Sequence, residues 1–205
     1  MDSAGVRTAF ALLFVGSFSA IHVDRSITAA APETELGFPI CLYHVHVNRG
    51  FPVDKITDLS KEMGIQFGVV DNFGRHYENY SNAHLRRYLE RMRGMPFRAG
   101  IQAEGRDCMN VFSRDLLARC DFILADGMTF PNTDGTYSRL WIGDEVKIND
   151  VQFFMDRYTD YLVDIASEPI DIIANLTYLP ENIRADYENL WSQQRTMRII
   201  RAAVK

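Results

Sequence analysis

The sequence has little cysteine and no long apolar run after residue 30, and each shortage excludes a class of protein. Its three cysteines, Cys41, Cys108 and Cys120, include no C-x-x-C pair, so they do not form the framework of a disulfide-rich domain. Charged side chains interrupt every apolar stretch after residue 30, which excludes a multi-span membrane protein. Basic residues are also in deficit, because 22 Lys and Arg stand against 27 Asp and Glu, and the net charge of −5 argues against a nucleic-acid partner.

The first 30 residues have the composition of a secretory signal peptide. Arg7 precedes an apolar run at residues 8–20, and small residues follow Thr28. We therefore predict that residues 1–30 are a signal peptide, that the mature chain keeps no stable membrane span, and that it is secreted or periplasmic. If this segment instead packs on the domain as an ordinary helix, the location is cytoplasmic.

Beyond residue 37, short apolar runs alternate with segments of helical periodicity. Five runs predict strands, at residues 38–47, 66–71, 97–103, 121–125 and 169–174. Helices are predicted at 54–63, from Asn82 to Gly94, and at 114–120, 151–166, 181–193 and 196–205, with a long loop at 127–149. Strands that alternate with helices form parallel β/α units. Without a G-x-G-x-x-G motif, a barrel-like α/β fold is favoured over a dinucleotide-binding one.

Polar residues stand at the end of every predicted strand, where such barrels place their functional groups. The first strand ends in His44 and His46, which are two residues apart and therefore point to the same face. Two imidazoles at one strand end suit zinc, manganese or iron, although an H-x-H pair can also be simply packed or exposed. The later strand ends supply Asp71 and Asn72, Glu104, Asp126, and Asn175.

The strand ends resemble the motifs of the PHP (polymerase and histidinol phosphatase) superfamily of metal-dependent hydrolases, over about residues 38–205. LYHVHVNRG resembles the first, metal-binding motif, and GIQAEGRD resembles the third, with Glu104 at the metal-bridging position. GVVDNFG resembles the second motif with Asn72 where the family usually has a histidine. DFILADGMTF and DIIANLTYLP resemble later strands, and Asn175 again replaces a histidine.

The resemblance implies a (β/α)7 barrel related to the TIM barrel, of which about five parallel strands are recognisable here. We therefore expect residues 38–205 to form an incomplete PHP-type domain that lacks the last strands, as in a fragment, a truncated product or a decayed relative. An incomplete barrel leaves strand edges unpaired. We expect such a domain to be poorly stable alone or to self-associate through the open barrel.

The function implied by the resemblance is metal-dependent hydrolysis, most closely that of a phosphoesterase. One or two divalent ions (Zn, Mn or Fe) are expected on His44, His46 and Glu104. Asp71 or Asp126 is expected to act as the base or to orient a ligand. The residues expected to contact a small, phosphorylated substrate are Arg75, Arg106, Asn72 and Asn175.

Two other functions remain open at this point. A degenerate PHP barrel can serve as a non-catalytic ligand- or protein-binding domain, because a fold does not determine a function. The loop at 127–149, with Phe130, Tyr137 and Trp141, would then be the recognition surface. A nucleophilic or redox enzyme that acts through Cys108 or Cys120 ranks last, because the sequence places no base beside either thiol.

Overall fold

The computed structural model describes residues 40–48, 50–74, 77–106 and 108–204. The predicted signal peptide at residues 1–30 lies outside the described residues and stays a prediction. Within the described part of the chain, no helix is both long and apolar enough to span a bilayer.

Five parallel strands curl into a half-barrel, as the sequence pattern predicts. They are β1 (Cys41–His46), β2 (Gln66–Val70), β4 (Arg98–Ala103), β5 (Phe122–Asp126) and β8 (Ile172–Ala174), and they lie in the order β1-β2-β4-β5-β8. A two-residue strand, β3 (Asn72–Phe73), follows β2 along the chain and also pairs with β4. All of these pairs are parallel, so the carboxyl ends of the strands meet at one rim.

Helices cover the outer face of the half-barrel. The long ones are α1 (Val53–Met63), α2 (Asn82–Met92), α5 (Val151–Ala166) and α7 (Gln193–Ala203), and the short ones are α3 (Cys108–Val111), α4 (Arg114–Leu117) and α6 (Tyr187–Leu190). α2 begins at Asn82 as predicted, and Ser81 caps it by accepting the N–H of His84, whereas Asn82 accepts the N–H of Ser113. The helix predicted at 181–193 is only a 3-10 turn, Arg184–Asp186, followed by α6.

Both faces of the sheet are apolar, as a parallel sheet requires. The outer face, which includes Val69 and Ile101, packs against the helices in the main core. The inner face forms a second cluster around Phe122 and Leu124. A Cβ on Gly100 would lie 2.6 Å from the ring of Phe122, so the glycine makes room for this aromatic side chain inside the half-barrel.

The segment at 127–149, predicted as a loop, contains an antiparallel hairpin. Its strands are β6 (Thr129–Pro131) and β7 (Tyr137–Arg139), and a 3-10 turn, Gly143–Glu145, follows. Phe130 is buried against aromatic side chains of α5 and therefore cannot belong to a recognition surface. Tyr137 and Trp141 are exposed. Strands of three residues beside turn-forming Asn, Asp and Gly are too short to give a recognisable period.

Candidate functional site

A bulge in β1 brings the two histidines to the rim. Leu42 pairs with Phe67 and Val45 with Val69, so β1 advances three residues while β2 advances two. Such a bulge re-aims the neighbouring side chains. His44 and His46 consequently converge, and their Nε2 atoms are 3.2 Å apart.

The amide of Gln102 joins this histidine pair to two carboxylates. Gln102 Oε1 is 2.8 Å from Nε2 of His44 and 2.8 Å from Nε2 of His46. Gln102 Nε2 donates to Glu104 Oε1 and to Asp126 Oδ2, at 2.9 Å each. Because Gln102 and Glu104 are two residues apart on and just after β4, they share the inner face of the sheet. One buried side chain therefore connects β1, β4 and β5 at the rim.

Glu104 and Asp126 are buried without a cationic partner among the described residues, and each is only 3% exposed. Burial raises the pKa of Glu104 to about 8, and the nearby charge of Asp126 adds to this shift. Burial also raises the pKa of Asp126. Thr129 donates to Glu104 at 2.9 Å, and Asn175 donates to Asp126 at 3.2 Å. Two buried acids without a counter-ion are uncommon unless they serve a function.

The histidines are on the accessible side of the cluster, and both are partly exposed. The pKa of His46 is lowered, first by burial and then by the charge of His44. This keeps the His46 imidazole neutral at neutral pH, which is the form that binds a metal ion.

Asn72 adds an unsatisfied acceptor to the same rim. It pairs in register with Gln102, so the two side chains emerge on the same face of neighbouring strands. Asn72 Oδ1 is buried and has no hydrogen-bond partner in the described structure. A buried acceptor is normally satisfied by a donor or a cation, so this oxygen is an available ligand atom at the rim.

Two predicted site residues do not join the cluster. The carboxylate of Asp71 turns towards α2, where it lies 3.8 Å from Arg91 and accepts a hydrogen bond from Asn79. Arg106 pairs with Asp164 on α5 at 2.7 Å and with Glu168, just after the helix, at 2.5 Å, which ties the loop after Glu104 to the end of α5. Arg75 lies outside the described residues.

Within the described residues, no three His, Cys, Asp or Glu side chains lie close enough together to hold one metal ion. The predicted ligands are instead divided, because the Gln102 amide stands between the two histidines and Glu104. Gln102 is the central residue that sequence reasoning missed. The signal was present, since Gln102 precedes Glu104 by two residues on a strand and must face the same way.

The thiols give no support to cysteine chemistry. Cys120 is partly buried, and burial raises the pKa of its thiol to about 12, so the reactive thiolate is scarce at neutral pH. The side chain of Cys108 lies outside what the structure describes.

The chain was compared with protein families, with curated proteins and with solved structures, and none of the three comparisons gives a match. The geometry of the rim is therefore the basis on which a function is assigned below.

Proposed function

We propose that the chain is a metal-dependent hydrolase that holds its ion at the rim of the half-barrel. His44 and His46 would bind the ion, and Glu104 and Asp126 would supply negative charge beside it. The observation that carries the proposal is the pair of Nε2 atoms 3.2 Å apart, which Gln102 connects to two buried carboxylates. Ligand atoms about 2.1 Å from one ion are roughly 3.0 to 3.4 Å apart, depending on the coordination geometry. The histidine pair fits this range.

Charge balance supports the same proposal. Buried carboxylates are normally paired with a cation or bound to a metal, because desolvation of an unpaired charge costs several kcal/mol or more. At the rim, the described neighbours of Glu104 and Asp126 are neutral donors: an amide, a hydroxyl and a backbone N–H. A divalent cation beside them would stabilise the ionised form of both acids, which burial otherwise disfavours.

The chemistry proposed is hydrolysis with acid–base assistance. A bound ion lowers the pKa of its water and polarises a phosphoryl oxygen. Glu104, with a pKa of about 8, exchanges a proton readily near neutral pH and is suited to accept one from water or to return one to a leaving group. Asp126 accepts three hydrogen bonds and would orient the side chain of Gln102 beside the ion. The choice of a phosphoester rests on the PHP resemblance.

A second candidate function, a non-catalytic binding domain, is favoured by one observation. Gln102 satisfies both imidazoles and both carboxylates at once, so the cluster is hydrogen-bonded as it stands. Such a network also rigidifies a fold without catalysing a reaction. Ligand binding that is independent of metal would distinguish this role.

The test is a metal titration of the chelator-treated protein, followed by assay with phosphoesters. We expect the wild-type chain to bind Mn²⁺ or Zn²⁺ at about one or two ions per chain and to hydrolyse a phosphomonoester. The double variant H44A/H46A should lose both properties. His84, in the first turn of α2, contacts Ser81 and Tyr80 and none of the clustered rim residues, so H84A is the matched control and should retain both.

Equal metal binding by the wild type and H44A/H46A would overturn the metal site. Tight, specific metal binding without turnover of any phosphoester or other ester would leave the binding-domain candidate in its place.

A further inference from the structure

The side chain of Gln102 uses every hydrogen-bonding group it has. Its oxygen faces the two imidazoles, and its two amide hydrogens are both given to carboxylates. The side chain is 5% exposed, so none of these bonds competes with bulk water. An amide so placed is fixed in rotation, because a flip would set its NH₂ against the imidazoles and its oxygen against two acids.

Three donor atoms form one small triangle at this point. The Nε2 atoms of His44 and His46 are 3.2 Å apart, and each is 2.8 Å from Gln102 Oε1. The edges of an octahedron around an ion with ligands at about 2.1 Å are about 3.0 Å long, and those of a tetrahedron about 3.4 Å. The mean edge of the triangle is closer in length to an octahedral edge, so the three atoms resemble one face of an octahedral site.

The two carboxylates make this oxygen a better ligand than an ordinary amide. Hydrogen bonds from the NH₂ group to two acids withdraw positive charge from the nitrogen and leave more negative charge on Oε1. Partners behind a ligand raise its basicity and fix its orientation in this way. Glu104 and Asp126 thus act on the triangle through Gln102, without touching it.

We propose that Gln102 Oε1 is the third ligand of the metal ion, and that Glu104 and Asp126 remain outside the inner ligand set. The inference rests on the proposed metal site and changes its set of ligands. The ligands become two imidazoles and one amide oxygen, and all three are neutral. Carbonyl oxygens favour Mn²⁺ more than thiolates or additional imidazoles do, so Mn²⁺ or Fe²⁺ is the expected class of ion.

The experiment compares two variants of the chelator-treated, full-length chain by calorimetric titration with Mn²⁺. Q102L removes the amide while retaining the bulk of the side chain, and E104Q replaces the carboxyl group with an amide of the same shape. We expect Q102L to weaken Mn²⁺ binding about 100-fold and E104Q about 10-fold. Gln66, at the start of β2 and the opposite end of the sheet, supplies the control Q66L, which should bind as the wild type does.

A second readout does not depend on how well Q102L folds. In wild-type protein labelled with ¹⁵N at glutamine, the side-chain NH₂ signals of Gln102 should shift on addition of diamagnetic Zn²⁺. The signals are assigned by isotope labelling of Gln102 alone.

The outcomes separate the two proposals. In one outcome the wild type binds Mn²⁺ and H44A/H46A does not, but E104Q weakens binding more than Q102L does and the Gln102 signals do not shift. Glu104 is then the ligand, and this inference fails while the metal site stands. Tighter binding by Q102L would likewise show that the amide only fills the site. If the wild type binds no better than H44A/H46A, the metal site itself fails.

Discussion

At the scale of single residues, the rim depends on side chains that carry no charge. Gln102 links histidines to acids, and Asn175 supports Asp126 from the end of β8. The charged residues Asp71 and Arg106 instead stabilise the surroundings through their contacts with helices. Position at a strand end identified the histidines and acids of the rim, whereas only the alternation of side chains along β4 points to Gln102.

The raised pKa of Glu104 predicts the pH dependence of folding in the chelator-treated protein. A carboxyl with a pKa near 4.5 when unfolded and about 8 when folded stabilises the fold most below pH 4.5, and this contribution is lost as pH rises to about 8. E104Q removes the effect. Urea unfolding at pH 5 and pH 8 should show a loss for the wild type that exceeds the loss for E104Q by a few kcal/mol.

The same substitution at Glu62, on the exposed side of α1, should leave the difference between the two pH values as in the wild type. If E104Q retains the full pH dependence, burial does not raise the pKa of this carboxyl as described.

The backbone of Asn175 gives a second prediction at this scale. Its φ of 52° lies in the left-handed region, which asparagine and glycine tolerate better than alanine does. N175A loses the hydrogen bond to Asp126 and also strains the backbone, whereas N175G loses only the hydrogen bond. Denaturant melts should therefore find N175A less stable than N175G by about 1 kcal/mol. Equal losses would mean that the backbone is free to relax.

At the scale of elements, an irregular β1 and a glycine-containing β4 shape the inner face. The bulge in β1 turns both histidines inwards, and Gly100 admits the ring of Phe122 beneath the rim. Tyr43 then packs edge-on against that ring, with centroids 5.1 Å apart. The floor of the site is thus built from aromatic side chains that glycine makes room for.

Substitution of Gly100 tests this packing. G100A places a methyl group 2.6 Å from the ring of Phe122 and should destabilise the fold by about 1–3 kcal/mol. The double variant G100A/F122L should recover part of the loss, because the smaller side chain relieves the overlap. G143A is the control, since a Cβ at Gly143 meets no atom within 4 Å. Thermal melts compare these variants with F122L alone, and a loss in the double variant equal to the sum of the two single losses would contradict the proposed contact.

The elements also differ in how well the sequence predicts them. β1, α1 and α5 were predictable because long apolar periods identify them. The hairpin of β6 and β7 was not, because two three-residue strands around a polar turn look like a loop. The bulge in β1 was equally hidden, since it is a property of pairing between two strands and neither strand shows it alone.

At the scale of the whole molecule, the sequence predicts the parallel half-barrel and the rim on which polar residues gather. It could not predict which of those residues meet, because that depends on the curl of the sheet and on Arg106 turning to α5. Alternation along β4 puts Gln102 on the same face as Glu104. Its other partners lie 56 and 24 residues away along the chain, and the sequence does not identify them.

We expect the chain to self-associate through the open edges of the half-barrel. Among the described strands, β1 and β8 each have one neighbour, so backbone groups on their outer sides remain available for pairing. Light scattering after size-exclusion chromatography should show a mass that rises from monomer towards dimer with protein concentration. A constant monomer mass up to high concentration would contradict the prediction.

The most direct test of the metal site is a crystal structure of the chain grown with Mn²⁺, with anomalous data collected to locate the ion. We expect an anomalous peak about 2.2 Å from Nε2 of both His44 and His46, with Gln102 Oε1 as the next nearest protein ligand. A rim that holds no ion at millimolar Mn²⁺, with the Gln102 hydrogen bonds unchanged, would contradict it.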